Sequence, residues 1–431
     1  MYFNHLINGK EIRAATFAQQ MFFSSMPEPE NKIYLPKITP DDAGLAVNAV
    51  KTALIPPLEE RLALGQQLQD YAPSSEALHI ASASIGMPRS WVRQSITDGK
   101  KMVRKLLSYD SPTSKKTTFV GVSPNDPREI FFFLGHVLLA GSPLILKLSS
   151  REPAIGYEVV KFLQERGLPP GLVNVIYGNS SDPAQAELVR QIAKQTDIPI
   201  VMGDAALVPN QISFYAEHSR GLVLDAERVL PHLLASVQSP LSCLAEHNYI
   251  VVGQDQFEKV VQGLISAYKS LIPGDLDQEA TTLGRIDSPT ITQLRSMLEM
   301  GFLFDSAHLL YSREGAVSRD FSGDISRGLV VQHFSEDCSV GSNPLLTSPL
   351  PGYITAIRQV KDIKSAVMDL NAACSHLRGN KSMALGVYGE LPKEWHEKMS
   401  ELAHDVHFNE SPLYVKGMRH QGINLNEVLT K

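Results

Sequence analysis

An α/β fold built on parallel sheets is what this sequence predicts, and three observations predict it. From Thr117 onward, short apolar runs alternate with helical stretches. Thr117–Val122, Leu144–Leu146, Val173–Ile176 and Ile198–Met202 read as buried strands, and Ile130–Ala140, Ala154–Arg166 and Asp182–Gln195 as the helices between them. Second, the strand ending at Lys147, the helix opening after Pro153 and the break from Gly167 to Gly171 before another buried strand make a β-α-β unit. Such units bind nucleotides beyond the carboxyl ends of their strands. Third, 431 residues suffice for two or three domains with substantial cores.

The elements follow in order. Thr39 suits an N-cap, Pro40 the first helical position, and Asp41 and Asp42 the positive end of a helix dipole. Leu45, Ala46, Ala49, Val50 and Ala53 then recur at helical spacing. Further helices are expected from Leu58 to Tyr71, over Ser75–Gly86 and over Arg89–Ser108, so the lead-in reads as mostly helical. A second α/β region begins with the strands Leu222–Asp225 and Tyr249–Val252 and the helices Gln256–Lys269 and Thr290–Met300. Ser326–Pro351 reads as loop-rich, Asp362–Ala372 as a helix, Ser382–Tyr388 as a strand and Lys393–His404 as a final helix. The change between the two regions is expected near Asn210–Arg220.

Composition narrows the class of protein. Hydrophobic residues make up 43% and charged residues 20%, as in ordinary globular chains. A net charge of −6 offers no basic field for nucleic acid or an anionic membrane. The longest apolar run, Ile130–Leu139, falls short of the ~20 residues of a membrane span. The N-terminus lacks the pattern of a secretory signal. The three cysteines, Cys243, Cys338 and Cys374, are far apart and show no metal-binding spacing. A cytoplasmic location with free thiols, no metal and no membrane span is the expectation.

Four short runs hold the residues with chemistry to offer. In Pro124-Asn125-Asp126-Pro127 a side-chain amide sits between two prolines, where an Asx-turn is the alternative use of Asn125. Lys147, Ser150 and Arg151 follow a strand end, where solvated surface charges are the alternative. Gly203, in Val201-Met202-Gly203-Asp204, permits close backbone approach, although Asp204 would repel a phosphate. Cys243, in Ser239-Pro240-Leu241-Ser242-Cys243-Leu244-Ala245, is either a nucleophile or a small buried apolar residue. His218, His247 and His407 fit no ligand motif and read as turn or packing residues.

In order and wording these runs resemble the aldehyde dehydrogenase superfamily, from Ile7-Asn8-Gly9 to the C-terminus. The resemblance implies an aldehyde-dehydrogenase-like α/β fold, with a Rossmann-type nucleotide-binding domain and an α/β catalytic domain. Residues 1–212 would hold the N-terminal helices and NAD(P) site, 213–408 the nucleophile, and 409–431 a tail with an oligomerisation segment. It implies that Cys243 attacks the carbonyl and that Asn125 donates to the oxyanion. It also implies that Lys147, Ser150, Arg151 and Gly203 bind the cofactor. NAD-preferring members place a glutamate three positions after the lysine; Ser150 stands there, beside Arg151, which favours NADP with NAD as the alternative.

Two departures shape the expected reaction. The glutamate that activates the hydrolytic water in oxidising members falls on Phe214, with Glu217 three residues away. The second glutamate of the family falls within Ser348–Gly352, where there is no carboxylate. An acyl-cysteine without an activated water would persist and exchange with a thiol. The sequence therefore favours NADPH-dependent reduction of an acyl thioester, with coenzyme A as leaving group, in the manner of the long-chain acyl reductase branch. Oxidation of an aldehyde, or a noncatalytic binding role, is the alternative. A homodimer is the assembly that the resemblance implies.

Overall fold

The computed structural model describes residues 2–21, 32–109, 113–122, 126–179, 182–203, 212–215, 219–242, 244–286, 288–303, 307–313, 328–333, 345, 350, 352–374, 382–413, 419–420, 423–424 and 429. Asn125, Cys243, Cys338, Asp204, Glu217 and His218 lie outside these described residues.

The lead-in starts with strands: β1 (His5–Ile7), β2 (Lys10–Ile12), β3 (Phe17–Met21) and β4 (Lys32–Pro36). The helices α1 (Pro40–Lys51), α2 (Leu58–Gln67), α3 (Ser75–Ile85) and α4 (Arg89–Leu106) follow. At α1 the Thr39 hydroxyl accepts from the Asp42 amide while the Asp42 carboxylate accepts from the Thr39 amide, a reciprocal cap that sets the helix start. The mostly helical lead-in is thus corrected. β1 pairs antiparallel with a core strand, and a three-residue run containing His5 shows too little alternation to be legible.

The alternating region forms a seven-stranded sheet. Its elements are β5 (Thr118–Gly121), α5 (Arg128–Ala140), β6 (Leu144–Lys147), α6 (Ala154–Gln164), β7 (Val173–Ile176), α7 (Pro183–Lys194), β8 (Ile198–Gly203) and β9 (Ile212–Tyr215). The strand order is β2-β1-β7-β6-β5-β8-β9, with β5 to β9 parallel. The period-2 pleat sorts its side chains. Val120, Leu144, Leu146, Val173 and Val175 enter one core with α4, α5 and α6, whereas Phe119, Ile145 and Ile176 enter another with α1 and α7. α5 is buried along its whole length, and each fully buried Leu or Phe contributes roughly 1.5–3 kcal/mol.

The chain leaves this sheet at Tyr215 and enters a second at Ser219. The second part comprises β10 (Ser219–Val223), α8 (Ala226–Val237), β11 (Glu246–Val252), α9 (Gln254–Ser270), α10 (Ser288–Leu303), β12 (Ala307–Ser312), β13 (Leu329–His333) and β14 (Ile354–Val360). It continues with α11 (Ile363–Cys374), β15 (Ser382–Tyr388), α12 (His396–Leu402), β16 (Ala403–Phe408), β17 (Arg419–His420) and β18 (Ile423–Asn424). Its order is β12-β13-β14-β11-β10-β15-β16. Val223, Tyr249, Val251, Ile357 and Tyr388 face α8 and α9, while Leu222, Ile250, Leu385 and Val387 face α11 and α12.

Two readings of this half change. The span taken as loop-rich contains β13, and the final helix stops at Leu402, where β16 starts; β14, which follows the loop-rich span, had no reading from sequence. Gln332, Arg358 and the His-Asp-Val-His alternation of β16 hid these strands, because polar residues interrupt their apolar runs.

Contacts between the α3–α4 hairpin and the second half join the two parts. Arg89 and His79 both reach Asp277, at 2.6 and 2.8 Å, the Arg285 amide donates to the Gly86 carbonyl, and Trp91 Nε1 donates to Ser239 Oγ at 3.3 Å.

Candidate active site

Strand order reverses beside β5. β6 and β7 lie on one side of it and β8 and β9 on the other, so a crevice opens at the carboxyl ends of β5 and β8. Register brings the ends together: Gly121 pairs with Lys147 and with Val201, and Lys147 with Ile176. Lys147 is half-buried at the end of β6, and Gly203 ends β8 beside Tyr215 of β9. Both residues therefore occupy the carboxyl edge of one sheet.

Beyond β6, Ser150 helps line a narrow pocket with Lys37, Leu148, Tyr177, Gly178 and Asn179. Among the described residues no carboxylate belongs to that lining, although Lys37 in it also approaches Asp182 at 3.6 Å. Arg151 is exposed, and its amide donates to Ser149 Oγ. The next residue, Glu152, was not singled out from sequence. Its Oε1 accepts from the Ala154 and Ile155 amides at 3.2 and 2.8 Å, which caps α6 with a carboxylate. Burial pushes that carboxyl up to about 7, against the amide bonds that lower it.

The flanks of Asn125 and Cys243 converge on one segment. Asp126 is buried and forms an ion pair with Arg128, whose Nη1 donates to the Leu413 carbonyl at 3.3 Å. Leu413 packs with Leu244 and Ala245, the residues that follow Cys243. On the other side of Cys243, Ser242 accepts from the Leu244 amide through its hydroxyl and from the Ala245 amide through its carbonyl. Phe214 lies in β9, and of the Ser348–Gly352 run only Leu350 and Gly352 are described.

A buried acid, also missed from sequence, opens β11. Glu246 Oε2 accepts from Tyr388 Oη at 2.6 Å and from Ser411 Oγ at 3.3 Å. Burial raises its carboxyl to about 8, although both hydroxyl bonds pull the other way. The only available signal was an acid three residues after the candidate nucleophile, read as lying before a strand that in fact begins at Glu246. Of the histidines, His247 is buried and pushed down to about 4 by desolvation, and His407 Nε2 lies 3.2 Å from Asp405. No set of three or more His, Cys, Asp or Glu among the described residues could hold a metal ion. No described helix is long and apolar enough to cross a membrane.

Comparison with known proteins places this arrangement. The profile of the aldehyde dehydrogenase family matches residues 132–202. The 1-pyrroline-5-carboxylate dehydrogenase of Geobacillus sp. (strain WCH70) is 25% identical over 251 residues, which are 53% of this chain and 46% of that enzyme. Its namesake from Geobacillus thermodenitrificans (strain NG80-2) is 26% identical over 215 residues, 45% of this chain and 40% of that protein. The chain spans less than half the length of these curated relatives. Among solved structures, an NAD-dependent aldehyde dehydrogenase from Sinorhizobium meliloti matches with TM-score 0.75 and 15% identity, covering 95% of this chain and 87% of that one. An aldehyde dehydrogenase from Bacillus cereus in complex with NAD+ matches with TM-score 0.71 and 15% identity, covering 98% and 92%. The shared fold is the aldehyde dehydrogenase fold. The relatives named here are dehydrogenases and not acyl-CoA reductases, so they reverse the order of the two enzymatic readings and favour aldehyde oxidation over thioester reduction.

Proposed function

The chain is a divergent member of the aldehyde dehydrogenase superfamily, and from that premise we propose that it oxidises an aldehyde to an acid with a nicotinamide cofactor. This reading is supported by the similarity to 1-pyrroline-5-carboxylate dehydrogenases and by the aldehyde dehydrogenase family profile over residues 132–202, the stretch that holds Lys147, Ser150 and Arg151. In this proposal residues 1–212 form the cofactor part, 213–408 the catalytic part and 409–431 the tail.

The crevice suits a nicotinamide dinucleotide. Lys147 at the strand end and Ser150 in a pocket without carboxylates offer a cation and a hydroxyl to the adenosine ribose. That lining favours NADP, since its described residues include Lys37 and no carboxylate, with Asp182 outside it on Lys37. Gly203 gives the backbone room beside the phosphates, and Arg151 supplies further positive charge. When bound, the cofactor supplies the hydride acceptor.

The chain's own groups do the rest. The Cys243 thiolate adds to the aldehyde carbon, and the Asn125 amide donates to the oxygen that becomes negative. After loss of hydride the acyl group is held as a thioester, and water, which no glutamate at the Phe214 position activates, cleaves it slowly to release the acid and restore the thiol. Soft thiolate chemistry suits both halves, since sulfur is a good nucleophile and a good leaving group.

A panel of aldehydes with NAD+ and NADP+, followed by the appearance of reduced cofactor, tests the reading in wild type and Cys243→Ala. The expected result is turnover of at least one aldehyde to its acid, lost by roughly 10³-fold or more in Cys243→Ala with cofactor binding retained. Cofactor oxidation with an acyl thioester and none with aldehydes would sink it. So would turnover unchanged in the variant.

A further inference from the structure

The carboxyl of Glu246 occupies a space that two glycines leave for it. A Cβ at Gly386 would collide with its Oε1, and one at Gly221 would meet the Tyr249 ring and approach that same oxygen at 3.3 Å. The carboxyl therefore lies across β10 and β15, the pair between which the order of the second sheet reverses. Glu246 opens β11 and pairs with Ser219 at the start of β10, so the acid lies at the amino ends of these strands. Oε1 is buried without a hydrogen-bond partner, and Oε2 takes both hydroxyls.

Those hydroxyls connect the acid to the two candidate catalytic turns. Ser411 Oγ also accepts from the Leu413 amide; the Leu413 carbonyl accepts from Arg128, and Arg128 is ion-paired with Asp126, the neighbour of Asn125. On the other side, Glu246 follows Ala245 and Leu244, which pack on Leu413. One short chain of contacts thus runs from the residue after Asn125 to the residues after Cys243, with Glu246 and Ser411 at its centre.

The groups in contact with the acid are hydroxyls, which donate to it but bring no positive charge. The groups facing it are Tyr388 on β15, Tyr249 on β11 and Ser411 after β16, with Tyr268 of α9 behind Tyr249 and His232 of α8 5.7 Å from the Tyr388 ring; His407 of β16, paired with Asp405, stands opposite Gly386 in register. Burial lowers the His232 pKa, so it too stays neutral near pH 7. None of those in contact with it is a cation, so a carboxylate formed here would have two hydroxyl donors, no counter-charge, and a desolvation cost that outweighs the hydrogen bonds.

We propose that Glu246 is a positioning residue for the reaction at Cys243. Its uncharged carboxyl locks the turn that bears Cys243 onto the Ser411–Leu413 segment, and ionisation of that carboxyl loosens the lock. The inference rests on the reading of Cys243 as the nucleophile of an aldehyde dehydrogenase. It adds an alkaline limit to activity, set near pH 8 by burial of the acid.

Two substitutions test it. Glu246→Gln keeps an acceptor for both hydroxyls and cannot ionise; Glu246→Ala removes the acceptor. With an aldehyde and the cofactor, wild-type kcat should fall above about pH 8. The Gln variant should stay within about threefold of wild type at neutral pH and show no such fall. The Ala variant should lose roughly tenfold or more in kcat while its KM for cofactor is unchanged. An alkaline limb shared by wild type and the Gln variant would overturn the proposal, as would wild-type kcat in the Ala variant.

The second readout needs no substrate. It is the pH dependence of Cys243 alkylation by iodoacetamide in a Cys338→Ser, Cys374→Ser background. The Gln variant should follow a single ionisation and the otherwise unchanged protein should depart from one near pH 8. A protein that turns over no aldehyde but shows this difference refutes the oxidoreductase reading and leaves the lock standing. Identical alkylation profiles refute the lock itself.

Discussion

In the first sheet the central strands carry almost nothing polar inward, whereas in the second the strands themselves are built with ionisable groups. β5, β6 and β7 bury Phe119, Val120, Leu144, Ile145, Leu146, Val173, Val175 and Ile176, with Thr118 and Asn174 as uncharged polar exceptions. β10, β11, β13 and β14 bury Arg220, Glu246, His247, Asn248, His333 and Arg358. Yet the plans are alike. In each, an early strand is flanked by later strands on both sides, order reverses beside it, and an antiparallel strand closes one edge. The same architecture has been filled in two ways. The first sheet keeps its chemistry at strand ends, where a ligand can reach it; the second keeps polar groups within its layers, where they can orient what lies above them.

The largest test of that difference removes a charge from each sheet. Arg358 of β14 is ion-paired with Asp369 of α11, both nearly buried, and Asp369 keeps a raised pKa because burial outweighs its partner. Arg358→Met should cost about 3–5 kcal/mol in chemical denaturation, because it strands a buried carboxylate. Lys147→Met, at a half-buried strand end, should cost under about 0.5 kcal/mol in the same assay. Its loss should appear in cofactor affinity. Equal stability losses would mean that the two sheets do not differ as described.

A smaller effect probes Glu152, a buried acid at the edge of the first sheet. Glu152 sits near pKa 7, above its ordinary value of 4.5, so the folded state binds more protons than the unfolded chain between those two values. Wild-type stability attributable to this group should therefore fall as pH rises from about 4.5 to about 7 and level off above. Glu152→Gln should abolish that slope, a difference of about 3 kcal/mol across the window at ~1.4 kcal/mol per pKa unit. Parallel stability curves for the two proteins from acid to neutral pH would contradict this account of Glu152.

What could be read from sequence follows the same divide. The β-α-β unit was legible because Leu144–Lys147 and Val173–Ile176 are uninterrupted apolar runs, and because Thr39, Pro40 and Asp42 announce a helix start. β13 and β14 were not, since His333 and Arg358 break the apolar pattern and only tertiary contacts show that these side chains are buried. The acids at 152 and 246 were passed over for the same reason. A lone carboxylate in a sequence reads as surface, and neither the helix amides around Glu152 nor the glycine-made space around Glu246 is adjacent in a way that sequence displays.

The finest prediction asks whether the edge of the first sheet distinguishes cofactors. The pocket below Ser150 contains Lys37 and Asn179 and no carboxylate. Ser150→Glu would place an acceptor for ribose hydroxyls there and a charge that repels a 2′-phosphate. The ratio of kcat/KM for NADP to that for NAD should fall by about tenfold, equivalent to ~1.4 kcal/mol, through KM more than through kcat. Stability should hardly change, since Ser150 is only partly buried. A ratio unmoved by the carboxylate would mean that the ribose does not sit over Ser150. The specificity would then have to come from a cation such as Arg151, exposed on the same turn.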